Sequence, residues 1–132
     1  MRPRVACQIL TLSLALGVGA PALASTYQFV AAPETDLNRI YRVDQATGEV
    51  GACQFGLQPV DPADPNKKAS NIGEVLCYPE GVGAGPQTPS DYSLVGSHHV
   101  GESGVYRVDL RNGTMSVCYV LDDKVVCTKA AK

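Results

Sequence analysis

The chain has 132 residues, 45% of them hydrophobic, with 13 acidic against 11 basic side chains and no tryptophan. That is the length of one small domain, and its slight negative charge argues against nucleic acid or an anionic membrane surface as a partner. Beyond residue 24 no segment sustains a helical period of apolar residues, so an all-helical domain is excluded.

Residues 1–24 read as a secretory signal peptide. Arg2 and Arg4 give a positive start, Ile9 to Val18 an apolar run, and Ala22-Leu23-Ala24 a small-x-small cleavage site before Ser25. The apolar stretch is broken by Gly17 and Gly19 and stopped by Pro21, short of the ~20 residues that cross a bilayer, so no membrane insertion is expected after cleavage. Cys7 precedes the apolar run and leaves with the peptide. Residues 25–132 then keep nine basic against 13 acidic side chains, a net −4. Cys53, Cys77, Cys118 and Cys127 remain as an even set entering an oxidising compartment, the bacterial periplasm or the medium, which favours two disulfides. A chain of this size gains from such staples, since its core alone is small.

An internal repeat organises the rest. Shifting the chain by 65 positions aligns Tyr27–Cys53 with Tyr92–Cys118 without a gap, and eight of 27 columns are identical. They include Tyr41-Arg42-Val43-Asp44 with Tyr106-Arg107-Val108-Asp109, Gly48 with Gly113, and Cys53 with Cys118. Apolar character also persists at Phe29/Leu94, Ile40/Val105 and Val50/Met115. The predicted organisation is a first β repeat over 25–80 with a Pro- and Lys-bearing loop inserted at 58–71, a Gly/Pro linker at 81–90 that allows movement although each unit alone is too small for a good core and the two should pack together, and a second repeat over 91–132.

In chain order each copy opens on Tyr-x-[Phe/Leu]-Val, continues as [Ile/Val]-Tyr-Arg-Val-Asp, turns, and returns as a third β-rich run. The turn is Asp44-Gln45-Ala46-Thr47-Gly48, mirrored by Asp109-Leu110-Arg111-Asn112-Gly113. The aspartate is expected to accept turn amides and the glycine to supply a positive φ, more loosely in the second copy, where Asn112 replaces Thr47. At the end, Cys118 to Cys127 is symmetric about Asp122-Asp123. A two-residue turn there puts the cysteines opposite each other at a non-hydrogen-bonded pair, the closer kind. The predicted staples are therefore Cys118–Cys127 and, by the repeat, Cys53–Cys77, against a competing arrangement that joins Cys53 to Cys118 and Cys77 to Cys127.

The Tyr27-Gln28-Phe29-Val30 strand, the Asp44-to-Gly48 hairpin and Cys53 resemble a group of small exported bacterial proteins with a Tyr-x-x-Val strand and an Asp-x-x-Thr-Gly hairpin. The hairpin also resembles those in β-propeller blades, though the chain is too short for a closed propeller of ordinary blades. The resemblance implies a β domain and carries no activity with it.

Candidate chemistry is sparse. His98-His99 has no third ligand at a metal-binding spacing, and neighbouring side chains on an extended strand point to opposite faces. Asp61, Asp64 and Asn66 lack the spacing and glycine of a calcium loop, and Asn112-Gly113-Thr114, an N-glycosylation pattern, coincides with a turn. Arg42 with Asp44 and Arg107 with Asp109 sit two apart on one strand face, where they either hold a ligand anion or form surface ion pairs. No nucleophile comes with a base, so no enzyme, metal or cofactor is expected.

The expected fold is all-β: two tandem antiparallel meanders of three or four strands, related by approximate twofold symmetry and packed as a small sandwich or flattened barrel. Apolar residues on both faces of several strands suit sheets covered on two sides. The expected function is that of a non-catalytic exported binding module for a protein or envelope component, with Arg42, Asp44, Arg107, Asp109, His98 and His99 as possible contacts. The alternative is an inhibitor of a hydrolase acting through loop 58–71.

Overall fold

A computed structural model describes residues 26–57 and 73–132; the expected signal peptide at 1–24 and the expected loop at 58–71 lie outside the described residues. Eight strands form: β1 (Tyr27–Ala31), β2 (Arg39–Asp44), β3 (Val50–Leu57), β4 (Gly73–Tyr78), β5 (Tyr92–Val95), β6 (Val105–Asp109), β7 (Thr114–Leu121) and β8 (Lys124–Cys127). They make two four-stranded antiparallel meanders, β1-β2-β3-β4 and β5-β6-β7-β8, so each repeat is one sheet.

The turns follow the local chemistry read from the sequence. Asp44 Oδ1 accepts the amides of Ala46 and Thr47 at 2.9 and 3.1 Å, and Gly48 rejoins the ladder at φ 70°. Asp109 Oδ1 does the same for Arg111 and Asn112, both at 3.0 Å, with Gly113 at φ 65°. The second turn is not loosely held: the Asn112 side-chain amide adds a 2.7 Å bond to Asp109 Oδ2. Asp122 and Asp123 both have positive φ, as a two-residue type I′ hairpin requires. Its register, Leu121↔Lys124 through Cys118↔Cys127, is the one counted from the sequence. Cys118–Cys127 and Cys53–Cys77 are the two disulfides, each across one cross-strand pair, with Cα separations of 4.1 and 4.0 Å.

Alternation gives each sheet two faces, named here the front (bearing the cysteines) and the back. The first sheet buries its back, through Tyr41, Val43, Val50 and Ala52, whereas the second buries its front, through Tyr92, Leu94, Val105, Cys118, Val125 and Cys127. Corresponding residues therefore have opposite fates: Tyr41 is buried and Tyr106 half-exposed, Val75 is 74% exposed and Val125 0%. The sheets stack in the same sense, back of one on front of the next, instead of being related by the expected twofold axis. One interface between two sheets with apolar residues on all four faces leaves two such faces outside.

The 81–90 linker is a strap. Val125 donates to Pro79 O, Gly81 to Val125 O and Cys127 to Val82 O, which seals the free edge of β8, and Val50 donates to Ala84 O. Next, Gln87, Ser90 and Tyr92 donate to the carbonyls of Thr47, Ala46 and Gln45, pinning the segment along the first turn. Movement between units would break this whole series.

The two turn glycines differ in surroundings. A Cβ on Gly48 would lie 2.9 Å from the Tyr92 ring, whereas one on Gly113 would meet nothing within 4 Å. Tyr92 is held by its hydroxyl on Thr88 O at 2.7 Å. Gly113→Ala should therefore cost about 1 kcal/mol through backbone strain alone, and Gly48→Ala at least about twice that, in denaturant unfolding with the disulfides intact.

Candidate functional site

Three of the six polar residues proposed from sequence, Asp44, Arg107 and Asp109, are buried, and three, Arg42, His98 and His99, are exposed. Arg107 is only 5% exposed. Its Nη1 donates to Gly48 O at 2.9 Å and Gly83 O at 3.1 Å, and its Nε to Ser116 Oγ at 3.2 Å, so it ties the first turn, the strap and β7 together. Burial lowers its pKa from the ordinary guanidinium value, with Tyr92 opposing. Asp109, on the same face, caps its own turn and accepts Ser90 Oγ at 2.7 Å. The Asn112 side-chain amide, helped by Ser90 and the turn amides against the cost of burial, holds its carboxyl down at about 2. Both side chains are engaged by partners within the chain. Asp44 is likewise buried in its turn.

Arg42 alone of the four reaches the surface, its guanidinium lying 5.4 Å from the Tyr27 ring centroid on the front of the first sheet. His98 and His99 are exposed in the β5–β6 loop, His98 at φ 62°. Ser97 Oγ accepts the His99 amide, and Glu102 donates its own amide to His99 O. Among the described residues no three His, Cys, Asp or Glu side chains gather as a metal site would require. Loop 58–71 lies outside the described residues.

What the sequence did not single out is the surface around Arg42. The front of the first sheet is an open groove of about 610 Å³ lined by Phe29, Ile40, Arg42, Cys53, Phe55 and Val75. Cross-strand pairing explains why these side chains meet: Phe29 stands opposite Arg42, Ile40 opposite Cys53, and Phe55 opposite Val75. Tyr27 and Leu57 extend the apolar surface at its two ends, both exposed. The Cys53–Cys77 bond lies within this face and stiffens its floor. The available signal was the count of apolar faces, four against one interface; which face stays outside was not encoded in spacing. No family model matches this chain, and neither the curated proteins nor the solved structures searched gave a match.

Two outcomes follow for the buried polar pair. Arg107→Ala removes three hydrogen bonds and strands the Gly48 carbonyl, Gly83 O keeping the Gln87 side-chain amide, and should cost about 1.5–3 kcal/mol in urea unfolding, while Arg42→Ala stays within about 0.5 kcal/mol. Asp109 ionises at about 2 in the fold against an ordinary 3.8, so its stabilisation is complete above the ordinary value and is lost as pH falls through the window down to about 2. The stability difference between wild type and Asp109→Asn should accordingly be flat near neutrality and shrink below about pH 4, as read by thermal unfolding across that range.

Proposed function

We propose that the protein is a non-catalytic exported module that binds a protein or envelope component through the front of its first sheet. The observation that carries this reading is a contiguous apolar face on a rigid, disulfide-stapled scaffold, with Phe29, Ile40, Phe55 and Val75 left in water. Large contiguous exposed apolar patches mark interaction surfaces and ligand-binding grooves. Arg42, with its guanidinium over the Tyr27 ring, supplies one charge at the edge to orient what binds. The proposed export fits the signal-like segment at 1–24, and two disulfides suit an oxidising, extracytoplasmic compartment.

The front-face variant Phe29→Asp/Phe55→Asp tests this against the inhibitor alternative. With disulfides and far-UV circular dichroism unchanged, it should lose at least about tenfold of the material captured from the envelope fraction, because burying the two carboxylates would be costly. Deleting 58–71 should leave capture intact. The reverse pattern, capture lost with the loop and kept with the two aspartates, would transfer the function to the loop.

A further inference from the structure

We infer that the front of the first sheet receives the back of the second sheet of another copy of this chain, so that copies stack head to tail. The inference rests on the front face being a docking surface and names its occupant. Inside one molecule the back of the first sheet already meets the front of the second, and the 65-residue repeat makes the two outer faces the same pair of surfaces over again. Across the outer back run Tyr106, Val108, Val117 and Tyr119, half-buried, and Met115, exposed.

Three contacts of the internal junction have their counterparts waiting unused. Within the chain Tyr92, 6% exposed, lies over Gly48; its counterpart Tyr27 is 50% exposed, and the space over Gly113 is open. Arg107 donates to Gly48 O, and Arg42 stands at the matching place for Gly113 O of a second copy. Tyr41 Oη donates to Ser103 O at 2.8 Å, and Tyr106 would reach Asn38 O of the second copy in the same way. The turn carbonyls tell the same story. Those of Gln45, Ala46, Thr47 and Gly48 all accept bonds from the strap or the second repeat, whereas among the described residues nothing donates to those of Leu110 through Gly113.

The repeated junction is weaker than the internal one. Gln28 clamps the Leu94 backbone at both its amide and carbonyl, but the matching residue is Ser93, too short for that, and no strap crosses between chains. Association should therefore be reversible. A surface that meets a different surface of its neighbour makes rings if the rotation closes and open stacks if it does not.

Sedimentation velocity of the disulfide-intact protein from micromolar to millimolar concentration should show growth beyond a dimer. Phe29→Asp/Phe55→Asp blocks the front and Val117→Glu the back, so each alone should be monomeric. Mixed, the two should form a one-to-one dimer that grows no further, joined through the intact front of one and the intact back of the other. Arg42→Ala should weaken association about tenfold without loss of monomer stability. A monomeric wild type overturns the inference, and so does a back-blocked variant that still dimerises through its front with itself. If the wild type is monomeric and deletion of 58–72 makes it associate, the face belongs to that segment of its own chain, which also overturns it. None of these results depends on envelope capture, so self-stacking can fail while the docking face stands.

Discussion

The first hairpin turn is the constraint on which the arrangement of the molecule depends. Asp44 satisfies the turn amides from within, so the carbonyls of four successive residues, Gln45 to Gly48, are left pointing outward. Each takes a donor from later in the chain: Tyr92, Ser90 and Gln87 amides, then the Arg107 guanidinium, at 2.7 to 3.1 Å. A turn that would ordinarily be solvated thus becomes the seat of the second sheet. The strap cannot shift without unsatisfying these groups, and buried unsatisfied carbonyls cost about 1–3 kcal/mol each.

Arg42 and Arg107 occupy one column of the repeat, and their divergence shows how far a sequence can be read. Strand assignment, turn chemistry, both disulfide pairings and the pairing register around Asp122-Asp123 were legible because they are local: alternation, a capping aspartate, a positive-φ residue and a symmetric hairpin settle them within a few residues. The fate of an arginine two residues from an aspartate is not local. Read along the strand, the pair suggests an anion site or a surface ion pair; in the fold Arg107 turns to carbonyls 24 and 59 residues away, and only Arg42 meets solvent.

The apolar groove was illegible for a related reason. The alternation in the first sheet announces apolar residues on both faces, and coverage on both sides was the natural reading. Coverage requires a second and a third layer, and the described residues supply only a second. Which face is left over depends on whether sheets pack twofold or in the same sense, and no single column of the alignment records that. The linker at 81–90 carried two signals: its glycines and prolines suggest slack, while the small size of each unit requires the two to pack, and in the fold the segment is held to the edge of β8, where Gly81 lies against Val125 O.

Why the sheets stack in one sense can be argued from the arginine column itself. Packed front to front about a twofold axis, the sheets would enclose Arg42 and Arg107 together, two cations in one dry layer with their turns facing away from each other. Unpaired buried charge is among the least tolerated features of a core. Packed back to back, both cysteine faces, each lined with apolar side chains, would remain in water. Same-sense stacking avoids both. It buries a single arginine and brings it against the carbonyl end of the preceding turn, whose dipoles solvate it, while sealing the front of the second sheet with the back of the first. The geometry that satisfies Arg107 in this way is also the geometry that leaves its counterpart, Arg42, at the open end of the stack beside Tyr27.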